Sequence, residues 1–175
     1  MWYLDQERYF CKLNGRSYDI VSWAINDELQ QLDTVSDAFC ESLNIEGKTF
    51  ILLSFPTADV SYLYDFALDR WYKIGFWDST NLEYDIFKGR SHAFATDVHV
   101  HLVGDQLATG IIYKMSSSYY DDSGSTMRRK IRTKHIDHDT DKKKFSNYVR
   151  FHYKGGVADS TTTAPVFPCH LSIRS

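Results

Sequence analysis

The chain has 175 residues, a formal net charge of -3 and 43% hydrophobic residues, which is enough for one ordinary domain with a buried core. Its apolar residues never form the run of about 18 that a membrane-spanning helix requires, and its first residues lack the pattern of a signal sequence. Three widely spaced cysteines, Cys11, Cys40 and Cys169, argue against a disulfide framework or a zinc knuckle. We therefore expect synthesis in the cytoplasm, reduced thiols and no membrane segment.

The amino-terminal part of the chain predicts one hairpin followed by one short helix. The pair Asn14-Gly15 favours a tight turn between strands at residues 9–13 and 17–22. Apolar residues then recur with helical spacing over residues 24–32. Ser22 precedes this segment and is predicted to cap the helix, because serine side chains accept hydrogen bonds from the first free amides of helices.

Beyond this helix the pattern is almost wholly β, with aromatic and β-branched runs that suit a pleated surface. Strands are predicted at residues 38–44, 49–55, 61–66, 71–76, 91–96, 98–102, 110–115, 129–136, 146–153 and 170–174. Polar loops are predicted at residues 78–85, 116–126 and 157–165. No helical pattern separates successive strands, so we expect antiparallel sheets.

Two segments of this region resemble each other at a spacing of about 40 residues. Trp71-Tyr72-Lys73-Ile74 follows Asp65, and Ile112-Tyr113-Lys114-Met115 follows Asp105. In each copy an apolar run, a polar turn and a second run ending near a lysine predict a β-hairpin. A period of this length is typical of four-stranded propeller blades.

We therefore predict a mainly β fold of antiparallel, four-stranded, propeller-like blades at residues 37–77 and 89–135, with further strands over 146–175. A β-sandwich is the alternative, because two similar hairpins also occur without a repeat. Two blades do not close a propeller, which needs about four. Residues 1–175 are thus expected to be one all-β domain, or a fragment of a longer protein, that is completed by further chain or by oligomerisation.

Charge is distributed unevenly along the chain. Residues 128–144, here called the basic segment, carry eight basic and three acidic residues, a net charge of +5. The predicted interaction surface consists of Arg128, Lys130, Arg132, Lys134, Lys142, Lys143 and Lys144. Strand alternation places the first four on one face, which favours an acidic protein partner or nucleic-acid phosphates. A solvated hairpin whose lysines deter edge-to-edge aggregation is the alternative.

Patterns for metal binding or catalysis are weak. Residues 137–141 begin like a calcium loop, but Lys142 stands where glycine is required and Tyr148 where glutamate is required. His99 and His101 lie two apart on a predicted strand and would share a face, as zinc ligands do, without an identifiable third ligand. No nucleophile elbow, phosphate loop or dinucleotide fingerprint occurs. We predict no metal, no cofactor and no enzymatic activity.

Aromatic residues near predicted turns suggest an alternative function. Trp71, Trp77 and Tyr119-Tyr120 are of the type that stacks on sugar rings in surface glycan sites. Aromatic residues at sheet ends also belong commonly to cores or interfaces. A carbohydrate-binding or cell-surface-binding module is therefore the alternative to a structural role.

A set of short motifs follows one another in a fixed order: the run GKTFILLSFPTAD at residues 47–59, then Tyr64-Asp65, Arg70-Trp71, Gly104-Asp105 with residues 110–113, Arg129 with Arg132-Thr133, and Gly155-Gly156-Val157. Together they resemble the packaged-DNA stabilisation protein family of short-tailed bacteriophages, over roughly residues 17–175. In that family the chain continues beyond a strand like residues 171–175 into a glycine-rich turn.

The resemblance implies a non-enzymatic virion protein of the tail and portal vertex, encoded by a free phage or a prophage. Members of this family join the tail assembly below the portal ring and close the channel, so that packaged DNA stays in the capsid. The implied partners are the portal and neighbouring tail proteins, with a homo-oligomeric ring in the particle and indirect contact with DNA. No catalytic residue is carried over, and the basic segment becomes a candidate docking surface.

Overall fold

In the computed structural model, the described residues are 1–78, 80–119, 121–122, 124–128 and 130. They fall almost wholly in the first of two units, Met1–Arg128, while the second unit, Arg129–Ser175, contributes only Lys130 to the described part. Apart from Lys130, the strands predicted at residues 129–136, 146–153 and 170–174 lie outside the described residues. The architecture below is that of the first unit.

The first unit consists of short strands and one helical segment. The elements are β1 (Trp2–Leu4), β2 (Phe10–Asn14), β3 (Ser17–Ile20), a 3-10 turn (Trp23–Ile25), α1 (Asn26–Gln31), β4 (Phe39–Ile45), β5 (Lys48–Phe55), β6 (Val60–Asp65), β7 (Arg70–Asp78), β8 (Glu83–Ile86), β9 (Gly89–Ala95), β10 (Val100–Asp105), β11 (Ile112–Met115), β12 (Asp121–Asp122) and β13 (Ser125–Thr126). Among the described residues no helix is long and apolar enough to cross a membrane.

All the described strands pair with antiparallel neighbours. The sheets have the orders β1-β2-β3, β4-β5-β6-β7-β8, β9-β10-β11 and β12-β13, so every pairing joins strands that are consecutive in the chain. The prediction of a mainly β, antiparallel fold with one short amino-terminal helix is confirmed.

The sheets do not have the four strands that were predicted. The largest described sheet has five, because β8 (residues 83–86), which begins within the polar loop predicted at residues 78–85, pairs with β7. Trp77 and Tyr84 are directly opposite on these strands, and their rings pack edge to face at 4.9 Å. Such cross-strand aromatic contact stabilises a pairing that polar sequence alone does not indicate. Within the described residues the β9-β10-β11 sheet has three strands.

Turn chemistry explains why successive strands form hairpins. Glu46 and Gly47, between β4 and β5, both have positive φ (50° and 77°), as a two-residue type I′ turn requires. The turns after β5, β6 and β9 each end in a left-handed residue, Asp59, Asp69 and His99 respectively. Aspartate and histidine adopt this conformation more readily than most residues, so these turns match their sequences.

The main core lies between the β4–β8 sheet and the amino-terminal elements. Its buried cluster comprises Phe10, Ile25, Leu29, Ile51, Leu53, Phe55, Val60, Tyr62 and Tyr64. Alternate residues of β5 and β6 face β2 and α1 in this cluster, while Leu52 and Ser61 are buried on the opposite face. β5 and β6 are therefore the central strands of the unit.

The helical segment begins differently from the prediction. Ser22 makes no capping hydrogen bond, and its hydroxyl instead accepts the Phe10 amide at 2.9 Å, which ties the segment to β2. A 3-10 turn follows before α1 starts at Asn26. At the other end the Arg8 guanidinium donates to the Gln30 and Leu32 carbonyls, at 3.0 and 2.5 Å. A cation at the helix carboxyl terminus satisfies free carbonyls and opposes the helix dipole.

Candidate functional site

The basic segment is described at two of its seven predicted interaction residues, Arg128 and Lys130, and both are exposed. The remaining residues, Arg132, Lys134, Lys142, Lys143 and Lys144, lie outside the described residues. The Arg128 guanidinium carbon lies 4.2 Å from the centroid of the Trp77 ring, a cation–π distance. The Tyr84 hydroxyl donates a long hydrogen bond, 3.4 Å, to the Arg128 carbonyl. The start of the basic segment is therefore held against the β7–β8 hairpin.

The aromatic residues considered for glycan binding lie in three separate environments. Trp71 packs against Tyr64, with ring centroids 5.0 Å apart, and its indole nitrogen donates to the Val21 carbonyl at 2.7 Å. The guanidinium group of Arg128 lies over the Trp77 ring. Tyr119 is 46% exposed and lies on the turn after β11, whereas Tyr120 is outside the described residues. Trp71 is thus committed to the core, and one face of Trp77 is already covered.

Of the two histidines predicted on one strand, only His101 lies on it, although both rings lie beside Phe94, with centroid distances of 6.3 Å for His99 and 4.7 Å for His101. His99 ends the β9–β10 turn with a φ of 51°, and β10 begins only at Val100. His101 instead bonds to His92 on β9, with Nε2 of His92 and Nδ1 of His101 2.9 Å apart. His101 is paired with Phe94, so His92 is its diagonal neighbour on the same face of the sheet. Sequence alone would find this pair only if the β9–β10 register were known.

The surroundings of His92 disfavour its protonation. Burial and the neighbouring His101 lower the pKa of His92, while the Glu41 carboxylate opposes the shift. Glu41 lies on β4 and accepts the backbone amide of His92 at 3.4 Å. A bond between two imidazole nitrogens requires one donor and one acceptor, whereas a fully protonated imidazole has only donors. In the described part of the chain, no three His, Cys, Asp or Glu residues are arranged to hold a metal ion.

A cleft of about 360 Å³ lies beside the histidine pair. It is formed by the β4–β5 turn, the β9–β10 turn and the end of β11. Its apolar lining consists of Ile45, Val98, Val100 and Met115. Its polar lining consists of Glu46, His99, His101, Lys114, Ser116 and Ser117. Sequence patterns did not indicate this site, because its residues come from three segments that only the fold brings together.

Several hairpin turns expose large apolar side chains, although turns are usually polar. We call Phe66, Leu68, Leu82, Val98 and Leu107 the apolar turn tips. They lie in the turns after β6, β7, β9 and β10 and are 44 to 71% exposed. Because successive turns of an antiparallel sheet alternate between its two ends, these residues are divided between both ends of their sheets. Single exposed hydrophobic residues are common, whereas contiguous apolar patches are typical of contact surfaces.

Together these features define an antiparallel all-β scaffold with exposed apolar turns, one mixed cleft and the start of a basic segment. No protein-family model, curated protein or solved structure matches this chain.

Proposed function

We propose that this chain is a non-enzymatic structural protein of a bacteriophage virion, made in the cytoplasm of the bacterial host from a phage or prophage gene. In this proposal it joins the tail at the portal vertex, helps to close the channel and retains the packaged DNA. Its partners are the portal, neighbouring tail proteins and further copies of itself in a ring. The observation that carries the proposal is the set of apolar turn tips on a sheet scaffold.

The motifs that resemble the phage family support this role through their position. The run at residues 47–59 contains all of β5 and the turn that follows it. Tyr64-Asp65 on β6 pairs with Arg70-Trp71 on β7. The Asp65 carboxylate accepts the amides of Ala67 and Leu68 at 2.9 and 3.1 Å. These bonds hold the turn that exposes Leu68. The resembling motifs thus build a turn tip, as expected if they serve docking.

We further propose that the sheets are blades of a propeller-like assembly. β4 to β7 form four consecutive antiparallel strands over residues 39–78, with β8 as a fifth, and β9 to β11 continue the same connectivity. Each sheet contains one Asp-containing hairpin, formed by the third and fourth strands of the first sheet and by the second and third described strands of the other. A β-sandwich remains the alternative arrangement. An experimental structure of the assembled particle would separate the two by the relative placement of these sheets.

In the proposed mechanism the sheets act as a rigid frame and the turns make the contacts. Apolar side chains at the turn tips lose contact with water when a neighbouring subunit covers them, at about 25 cal/mol per Å² of buried apolar surface. The basic segment adds a charged surface suited to an acidic partner and to indirect contact with DNA. Arg128, the first residue of this segment, lies over the Trp77 ring of the scaffold.

The decisive experiment is the solution mass of the chain, alone and mixed with the portal protein encoded beside it, measured by light scattering. A ring or a stable portal complex is expected. The variant Leu68→Ser/Leu82→Ser/Leu107→Ser should keep its fold and lose the complex. The matched control is Tyr18→Ser/Tyr72→Ser, which removes exposed apolar area from strands β3 and β7 instead of turns. A chain that stays monomeric beside the portal, or a turn variant that assembles normally, would contradict the proposal.

A second variant tests the basic segment. Replacing Arg128, Lys130, Arg132 and Lys134 by serine should leave the fold intact and weaken assembly. A companion variant that retains Arg128 and changes only the other three keeps the contact with Trp77. If both variants weaken assembly equally, the charged face is responsible, whereas normal assembly by both rejects the segment as a docking surface.

A further inference from the structure

One edge of the β9-β10-β11 sheet is formed by β11. Among the described residues, β11 pairs with β10 on one side and with no strand on the other. We call residues 111–115 the β11 edge. Alternate residues of an edge strand direct their N–H and C=O groups away from the sheet, where a further strand is able to pair with them. The β11 edge therefore offers backbone hydrogen bonds to a partner strand.

The β11 edge lacks most of the features that keep sheet edges from pairing. Ile111 and Ile112 are 50% and 69% exposed, and Lys114 is the one charged residue of the segment. Edges of monomeric proteins are commonly protected by several charges, a proline or a β-bulge. The segment contains no proline, and the pairing of β11 with β10 continues without a register shift. It thus presents an apolar, regular strand edge.

The charge of the chain favours a contact between two copies at this edge over one at other edges. Two copies have the same net charge of -3 and repel each other, so they approach most easily where acidic side chains are absent. The β11 edge has no acidic residue. Three other edge strands do have them: β3 contains Asp19, β4 contains Glu41, and β8 contains Glu83 and Asp85.

The side chains favour one antiparallel register of two β11 edges. Ile112 and Lys114 lie on one face of the sheet and Tyr113 lies on the other. Since opposed residues must share a face, a two-fold axis passes through residue 112, 113 or 114. An axis at Lys114 places two ammonium groups opposite each other, which is unfavourable, and an axis at Ile112 pairs only residues 111–113 of the edge. With the axis at Tyr113 all five residues pair, and Ile112 of each copy lies opposite Lys114 of the other.

We infer that two copies of this chain pair antiparallel through their β11 edges, about a two-fold axis at Tyr113, and join their three-stranded sheets into one. Ile112 of each copy then packs against the aliphatic stem of the opposing Lys114, whose ammonium lies 5.7 Å from the centroid of the Tyr119 ring in its own chain. A two-fold contact closes with two subunits, so this surface forms a dimer and not a ring. It is separate from the apolar turn tips and does not depend on the virion role.

The inference is tested by sedimentation velocity of the full chain over a range of concentrations, with two substitutions at one exposed position. Ile112→Lys places like charges opposite each other twice in the dimer, whereas Ile112→Glu places opposite charges there. The dissociation constant of the Ile112→Lys dimer should exceed that of the Ile112→Glu dimer about tenfold or more at low salt. The difference should shrink at high salt, because exposed charges are screened.

The matched control is Tyr18→Lys, which adds a lysine at a 58% exposed position of β3 and should leave the dimer as stable as that of the unchanged chain. Amide hydrogen exchange should show that β11 becomes more protected as the dimer forms. A chain that stays monomeric at about 1 mM would overturn the inference, and protected β11 amides in that monomer would show that its own chain covers the edge. Equal dissociation constants for Ile112→Lys and Ile112→Glu would also overturn it, because the copies would then meet elsewhere. No portal protein enters this experiment, so its outcome is independent of the proposed function.

Discussion

The β6–β7 hairpin and the β10–β11 hairpin each begin with a strand that ends in aspartate. In both, the carboxylate accepts the amide two residues further on, Asp65 from Ala67 and Asp105 from Leu107, at 2.9 and 3.1 Å. The residues that follow occupy very different surroundings. Trp71 packs against the core cluster, whereas Ile112, at the corresponding place in the second hairpin, is 69% exposed.

The comparison teaches that a repeated motif specifies a turn without specifying what covers it. The first hairpin lies under β1, β2 and α1, which contribute Trp2, Phe10 and Leu29 to the packing around it. In the β9–β11 sheet Val103 is buried while Ile112 remains at the surface. The difference between the hairpins therefore originates in the amino-terminal elements and not in the repeat.

The largest expected effect is the loss of core packing in the first hairpin. Trp71→Ala removes ring contacts with Tyr64 and Phe10 and the hydrogen bond to Val21, so the free energy of unfolding should fall by about 3 kcal/mol. Ile112→Ala, the matched change in the second hairpin, should cost less than about 1 kcal/mol. Urea denaturation measures both, and equal losses would refute the contrast.

A second contrast concerns glycines in the two sheets. A Cβ at Gly75 would lie 2.2 Å from the backbone carbonyl oxygen of Asp85, so Gly75→Ala must disturb the β7–β8 pairing. We expect a loss of about 2 kcal/mol. A Cβ at Gly104 would meet the Ser91 hydroxyl at 2.6 Å, and that side chain is able to rotate away. Gly104→Ala should therefore be milder, and thermal unfolding of both variants would show whether this order holds.

The turn aspartates provide a smaller difference. Asp65 is 5% exposed, so Asp65→Ala leaves the amides of Ala67 and Leu68 without their partner and should cost about 1 kcal/mol. Asp105→Ala should lower the free energy of unfolding by less than Asp65→Ala does. The bonds from Thr109 lower the pKa of Asp105 below 3.8, so its stabilisation is present above that pH and is lost as the pH falls further. Asp105→Asn should flatten this acid dependence, which denaturation midpoints at pH 3 and 5 would reveal.

The smallest effects are opposite pH dependences of the two regions. Burial and the Asp69 hydrogen bond raise the pKa of Tyr64 to about 12. The contribution of neutral Tyr64 to the free energy of unfolding is therefore present below pH 10 and is lost as the pH rises through 12. The lowered pKa of His92 implies the opposite pH dependence. The contribution of neutral His92 to the free energy of unfolding is present above pH 6.5 and is lost as the pH falls through the lowered pKa. Tyr64→Phe should flatten the alkaline limb of stability, and His92→Gln the acid limb. Swapped or absent effects would show that these groups are not the titrating ones.

Much of the secondary structure was predictable, because strands and turns depend on neighbouring residues. The hairpin at Gly15 forms as expected, with a φ of 64° at that glycine. The strand predicted at residues 49–55 appears as Lys48–Phe55. β8 and β1 were missed, since their short sequences become strands only by pairing with β7 and β2. Ser22 was assigned to the wrong bond because the Phe10 amide is brought to it by the fold.

The candidate site was less predictable. His101 was singled out, but its hydrogen-bond partner is His92 instead of His99. The turn places His99 before the strand, and the register makes His92 the diagonal neighbour of His101. The charge pattern singled out Arg128 as an interaction residue. Its contact with Trp77 on β7 joins residues far apart in the chain and was not predictable from that pattern. The cleft joins residues 71 positions apart through Glu46 and Ser117, a separation that local patterns do not span.

By itself, the sequence determined the β-rich class, the antiparallel hairpins and their turns, because alternation and turn conformation are properties of a few adjacent residues. The tertiary structure decided which hairpin is buried, which strands extend the main sheet and which polar groups meet at the cleft. These outcomes depend on contacts between distant segments, whose free energies arise only when register and packing bring the side chains together.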